Sequence, residues 1–151
     1  MQYNGLWFFG LSGSGKTFAS DYLANKISNS FIIDGDKVRD KISRDLDYSL
    51  ESRLIQLDRV LGISSLVTYN NYFPIISTVY MTKNIQKILM TNNFLLIKIE
   101  RALSDAKKNN PTYLDKENVV GIDILYENFS HKTISNNNGD DFCKILDKIM
   151  K

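Results

Sequence analysis

The sequence predicts an α/β domain organised around a mainly parallel sheet. Short apolar runs alternate with stretches of helical periodicity, the pattern of strand and crossover helix repeated along one chain. A glycine-rich segment also follows the first apolar run and opens the first helical stretch, as in phosphate-binding α/β domains.

Leu6-Trp7-Phe8-Phe9 is the first buried strand, ended by Gly10. Phe18, Ala19, Tyr22, Leu23 and Ile27 recur at helical spacing, so a helix starts near Lys16. Phe31-Ile32-Ile33 is a second strand, closed by a turn at Asp34-Gly35-Asp36. Leu54, Leu57, Leu61 and Ser65 mark the stripe of a long helix ending near Asn70-Asn71. Pro74-Ile75-Ile76-Ser77-Thr78-Val79 is a third strand, followed by a helix carrying Ile85, Ile88 and Leu89. Phe94-Leu95-Leu96-Ile97-Lys98-Ile99 is a fourth strand and Lys132-Thr133-Ile134-Ser135 a fifth. Phe142, Ile145, Leu146, Ile149 and Met150 fit a closing amphipathic helix. The polar stretch of about thirty residues between strands four and five exceeds a simple connection and has the length of a functional lid. Asn136-Asn137-Asn138-Gly139 reads as a small polar loop and nothing more.

Gly10-Leu11-Ser12-Gly13-Ser14-Gly15-Lys16-Thr17 matches G-x-x-x-x-G-K-[ST]. Successive backbone N–H groups must wrap a phosphate, and a Cβ at the tightest points would clash. The helix beginning at Lys16 adds the positive end of its dipole. A strand before and a helix after make an accidental Gly/Ser turn a poor explanation, so a nucleoside triphosphate is expected. Gly10, Ser12, Gly13, Ser14 and Gly15 form the cradle; Lys16, on an exposed loop, reaches the phosphates; the Thr17 hydroxyl holds Mg²⁺.

Asp34 and Asp36 stand just beyond the carboxyl end of a strand, in the crevice where open α/β sheets bind ligands. Asp34 can anchor a Mg²⁺-bound water and Asp36 can accept the proton of an attacking hydroxyl. The same residues also make a plain Asp-Gly turn, and the cradle one strand earlier favours function. Arg39 and Arg53 follow. A guanidinium pair grips phosphate or sulfate oxygens bidentately, although exposed arginines commonly do no more than solvate a face.

Composition narrows the class. The 151 residues suit one domain, 1–151; 43% are hydrophobic and 24% charged, which excludes a disordered chain. A net charge of +2 is too small for a nucleic-acid-coating protein. One cysteine, Cys143, excludes an internal disulfide, and it reads as a core-edge residue of the last helix. No signal peptide or run of eighteen apolar residues is present, so a soluble, cytoplasmic protein without membrane contact is expected. No Asn-Lys-x-Asp guanine reader occurs, which leaves the small kinases rather than the GTPases. Trp7 is assigned to the core, His131 to the surface, and Lys107-Lys108 to a solvated face or a mobile basic lid.

Trp7-Phe8-Phe9-Gly10 through Thr17, then Ile33-Asp34-Gly35-Asp36-Lys37-Val38-Arg39, then Asp45-Leu46-Asp47-Tyr48-Ser49 with Arg53, resemble adenylylsulfate kinases in that order. Gly121-Ile122-Asp123 followed by Tyr126-Glu127 looks like the end of that family's lid. The resemblance implies a three-layer P-loop nucleotide-kinase-like fold, with five mainly parallel strands in the order 2-3-1-4-5 and a lid over about residues 101–130. It also implies ATP as co-substrate, Mg²⁺, and, as is often the case in that family, a homodimer. By this likeness Arg101 reaches ATP from the lid. Arg39 and Arg53 bind the 5′ anionic head of a nucleotide acceptor, Tyr48 stacks on its base, and Asp36 faces its ribose 3′-hydroxyl. Gly121, Ile122 and Asp123 border the same acceptor.

This chain departs from the family at three places. Thr78-Val79-Tyr80-Met81-Thr82-Lys83 replaces a Phe-Ile-Ser-Pro-Tyr-Arg segment. Val119 stands where a phenylalanine completes an aromatic sandwich on adenine, and the basic start of the lid is reduced to Arg101 and Lys107-Lys108. Losing one face of a sandwich costs on the order of 1–3 kcal/mol. A smaller base suits these changes, so a cytidine diphosphoramidate-type acceptor, known from capsule biosynthesis, is favoured over adenylyl sulfate. The alternatives are an ordinary adenylylsulfate kinase, a kinase of a sugar or shikimate-like acid, and a catalytically dead nucleotide-binding regulator.

Overall fold

A computed structural model describes residues 2–108, 110–114, 116–137 and 141–150. The expected Asn138 and Gly139 of the polar loop lie outside the described residues. Five strands, β1 (Gly5–Phe9), β2 (Ser30–Asp34), β3 (Phe73–Thr78), β4 (Phe94–Glu100) and β5 (Lys132–Ser135), form one sheet. Its order is β2-β3-β1-β4-β5 and every pairing is parallel, as expected. Helices α1 (Lys16–Ala24), α2 (Gly35–Lys41), α3 (Leu50–Tyr69), α4 (Lys83–Thr91), α5 (Leu103–Lys107) and α6 (Phe142–Asp147) connect and cover it.

The central strand β1 is buried on both faces, so its apolar run does not alternate with polar residues. Trp7 and Phe9 face the layer of α3 and α4, whereas Leu6 and Phe8 face that of α1 and α6. The Trp7 indole N–H donates to Thr78 Oγ1 at 2.8 Å, which satisfies its one polar group in the core.

Four expectations are corrected by the packing. Asp34-Gly35-Asp36 is not a free turn: β2 runs directly into α2, and Asp34 is the N-cap, accepting from the Asp36 and Lys37 N–H groups. The buried face of α3 is Gln56, Leu57, Val60 and Ser64, leaving Leu54 and Ser65 of the expected stripe exposed. The helix is rolled so that a polar edge faces a cavity. His131 is half-buried, 5.2 Å from the Phe9 ring and 5.3 Å from that of Phe129, rather than a surface residue. Lys16, the first residue of α1, is only 9% exposed, because its side chain turns back onto the loop and donates to the Gly10 and Leu11 carbonyls.

The long segment after β4 divides in two. Its first part holds α5 and a 3-10 turn at Pro111–Tyr113. From Val119 onward it is built into the core: Val120, Ile124 and Phe129 join the cluster of Trp7 and Phe9.

Candidate active site

The loop from Gly10 to Thr17 leaves β1 and enters α1 at the carboxyl edge of the sheet. Gly13 (φ +80°) and Gly15 (φ +103°) occupy the left-handed region, where side chains are strained. A Cβ on Gly13 would also sit 2.7 Å from the Ala106 carbonyl. Lys16 Nζ donates to the Gly10 and Leu11 carbonyls at 2.9 and 2.7 Å, arching over the cradle. Burial lowers its pKa to about 8, against the opposing pull of the Asp36 and Asp34 charges. Arg101 Nη1 donates to the Gly13 carbonyl at 3.0 Å, which puts this residue, just past the end of β4, against the loop.

Thr17 Oγ1 and Asp34 Oδ2 are 3.4 Å apart. A hydroxyl and a carboxylate are hard oxygen donors that suit Mg²⁺, which takes few protein ligands and completes its shell with phosphate oxygens and water. Among the described residues no group of three or more His, Cys, Asp or Glu could hold a metal alone. The pair therefore fits a nucleotide-bound ion better than a resident one.

Beside the loop opens a cavity of about 480 Å³, lined by Asp36, Arg39, Tyr48, Arg53, Gln56, Tyr80, Tyr113 and Val119 among others. Arg39 Nη1 donates to the Asp47 carbonyl at 2.5 Å. Arg53 donates to the Tyr48 and Asn118 carbonyls at 3.1 and 2.9 Å. Both guanidiniums lie over the Tyr48 ring, at 4.7 and 5.6 Å from its centroid. Neither makes an ion pair among the described residues. Burial first, and the Arg39 charge second, lower the Arg53 pKa. Two crowded cations bonded, among the described residues, only to carbonyl dipoles have the charge to receive an anion. Behind them Arg59 clamps Asp45 bidentately at 2.6 and 2.7 Å, tying the segment that carries Tyr48 to α3.

Of the expected acceptor residues, Asp36, Arg39, Tyr48, Arg53 and Val119 come together in this cavity. Gly121, Ile122 and Asp123 do not line it. They shape the turn beneath: Asp123 Oδ2 accepts from the Val119 N–H at 2.8 Å, Gly121 has φ +88°, and Ile122 points outward. Sequence reasoning missed Gln56, Tyr80, Tyr113 and Asn136. Gln56 had a signal, since it lies one turn past Arg53 on the same helix. Its Nε2 donates to the Gly35 carbonyl at 3.0 Å, while its buried Oε1 has no partner among the described residues. Tyr80 stacks on Tyr126, whose hydroxyl donates to the Val79 carbonyl at 2.7 Å. The cavity is thus richer in aromatic rings than Val119 alone suggested.

A parallel sheet in this order, with a glycine-rich loop after β1 and a cavity beside it walled in part by the segment after β4, defines a P-loop kinase fold. The family model described as adenylylsulphate kinase matches residues 3–132, and the chain belongs to that family. The adenylyl-sulfate kinase of Buchnera aphidicola subsp. Acyrthosiphon pisum is 27% identical over 137 residues, covering 81% of this chain and 66% of that relative. The chain therefore spans somewhat less than two thirds of that relative's length. Among solved structures, the APS kinase of Mycobacterium tuberculosis in complex with AMPPNP and APS superposes with a TM-score of 0.82 at 18% identity, over 99% of this chain and 96% of the other. A sugar kinase from Janibacter sp. HTCC2649 shares the fold at a TM-score of 0.68 and 11% identity, over 98% and 92%.

Proposed function

We propose that this protein is an ATP-dependent kinase that transfers the γ-phosphoryl group to a ribose 3′-hydroxyl of a small anionic nucleotide. The observation that carries this reading is the position of Asp36. It lines the cavity, and its charge acts both on Lys16 of the loop and on Arg53 of the anion site. A carboxylate between a triphosphate cradle and an anion site is where an acceptor hydroxyl must lose its proton.

The acceptor oxygen forms a bond to the γ-phosphorus while the bond from that phosphorus to the β–γ bridging oxygen breaks. Asp36 orients the hydroxyl and takes its proton; Lys16 and Arg101 neutralise charge on the phosphate oxygens. Positioning and charge neutralisation dominate because the transition state is loose. Thr17 and Asp34, the latter through a water, would hold Mg²⁺, which supplies further neutralisation of the triphosphate. Arg39 and Arg53 hold the 5′ anionic head and Tyr48 stacks on the base.

Adenylyl sulfate and a cytidine diphosphoramidate-type nucleotide both fit that description. Val119 favours the smaller base, whereas Tyr80 and Tyr113 add aromatic surface that adenine can also use. A competition assay with both acceptors at saturating Mg-ATP, on wild type and on Val119→Phe, decides between them. Wild type is expected to prefer the cytidine compound, and Val119→Phe to move preference toward adenine by about tenfold, the worth of one stacking face. Efficient turnover of adenylyl sulfate with no use of the cytidine compound leaves the ordinary family reaction standing. Turnover of neither removes the nucleotide acceptor.

A further inference from the structure

The phosphate loop is bonded from behind by three different segments. Tyr113 Oη donates to the Ser12 carbonyl at 2.8 Å, Arg101 Nη1 to that of Gly13 at 3.0 Å, and Asn136 Nδ2 to that of Ser14 at 2.8 Å. No described peptide bond is cis. In a planar trans peptide the C=O and N–H point in opposite directions. A donor behind Ser12 therefore turns the Gly13 N–H toward the cradle, and a donor behind Ser14 does the same for Gly15. The middle unit differs, since the Ser14 N–H closes the turn onto the Leu11 carbonyl at 3.1 Å. Among the described residues the Gly13 and Gly15 N–H groups bond to no protein acceptor.

We propose that Tyr113 and Asn136 are positioning residues for the triphosphate, holding the Gly13 and Gly15 N–H groups in the orientation that receives phosphate oxygens. The inference rests on the reading that this loop takes ATP, and deepens it. A hydrogen bond into a carbonyl also polarises the N–H of the same peptide unit, so each donor strengthens the contact in front of it. Both side chains are themselves fixed. The Asn136 N–H donates to the Glu100 carbonyl at 2.8 Å, extending the β4–β5 ladder, and a Cβ at Gly15 would collide with Asn136 Nδ2. Tyr113 ends a 3-10 turn capped by Asn110 Oδ1, and Asn110 Nδ2 donates to Ser12 Oγ at 3.1 Å. Burial raises the Tyr113 pKa, which keeps its hydroxyl a donor. Its ring also walls the acceptor cavity, so one side chain touches both halves of the site.

The test uses ¹⁵N-labelled protein with Tyr113→Phe, which removes only a hydroxyl, and Asn136→Leu, which keeps the shape without a donor. Tyr113→Phe is expected to move the Gly13 amide resonance and Asn136→Leu that of Gly15. Each should raise the Kd for Mg·AMPPNP about fivefold by calorimetry, roughly the worth of one hydrogen bond. An unchanged Kd in both variants overturns the proposal. So does a weaker Kd accompanied by shifts spread over the whole sheet, the mark of a merely structural role. Neither readout involves an acceptor: if neither nucleotide acceptor is phosphorylated, the proposed reaction falls while these measurements still decide the role of Tyr113 and Asn136.

Discussion

The two halves of the site are built on opposite plans. The phosphate cradle is main chain: the six residues Gly10 to Gly15 between β1 and α1, shaped by glycines at positive φ and braced from outside. The acceptor cavity is side chain, assembled from α2, α3, the end of β3 and the segment after β4. A cradle of amides recognises any polyphosphate and offers little to vary. A cavity of side chains can exchange one ring or one cation at a time, so substrate choice within one fold resides there.

That contrast predicts where each substitution acts, and the loop should give the largest effect. Lys16→Ala is expected to cost at least about 3 kcal/mol of transition-state stabilisation, a hundredfold or more in kcat, by removal of a preorganised charge. Circular dichroism should report an intact fold. Turnover within a few-fold of wild type would dissolve the distinction between the two halves.

Asp36→Asn tests the boundary between them. The amide keeps the shape but carries no charge, so kcat should fall about a hundredfold while the Kd for ATP moves less than about threefold. A fall in ATP affinity together with a lost Mg²⁺ requirement would make Asp36 a metal ligand and put the base elsewhere.

Arg39→Ala and Arg53→Ala belong wholly to the acceptor side. Each removes a charge-assisted hydrogen bond worth about 1.5–3 kcal/mol, so the acceptor KM should rise roughly ten- to hundredfold at an unchanged KM for ATP. Steady-state kinetics varying each substrate in turn separates the two.

The smallest effect is a pH dependence confined to the loop. Lys16 is held at a pKa of about 8 in the nucleotide-free fold, below its ordinary 10.5, because burial disfavours its charge. A depressed lysine destabilises the empty fold below about pH 8, and that penalty is relieved as pH rises from about 8 toward 10.5. A bound triphosphate restores the charge, so nucleotide affinity is fully present below about pH 8 and falls above it, by about tenfold at pH 9. Calorimetry near pH 8.5 in buffers of different ionisation enthalpy should show proton uptake on Mg·AMPPNP binding; acceptor affinity should lack this Lys16-linked uptake.

How much of the molecule was legible follows the same division. The strand, loop and helix at Leu6 to Ala24 are one contiguous pattern, because a buried strand, three glycines and an amphipathic helix act on their immediate neighbours. Asp34 and Asp36 were legible as a pair at a strand end, though not as a helix cap, since a cap and an Asp-Gly turn share their first residues. Asn136 read as a bland loop because the carbonyl it bonds belongs to Ser14, 122 positions earlier. His131 read as surface because the rings that enclose it, Phe9 and Phe129, converge only once β5 pairs with β4.

By itself the sequence determined the α/β class, the strand order through the family likeness, and the phosphate cradle. The class and the cradle rest on local chemistry, namely periodicity, turn stereochemistry and the spacing of backbone amides, whereas the strand order rests on the likeness alone. The tertiary structure alone decided the roll of α3 that brings Gln56 into the cavity beside Arg53, the convergence of Tyr80 and Tyr113 on the cavity that Tyr48 lines, and the bracing of the loop by Tyr113 and Asn136. These depend on which elements the parallel crossovers bring side by side. Residues about one hundred positions apart in the chain, such as Ser12 and Tyr113, become hydrogen-bonded neighbours only when the sheet closes the distance.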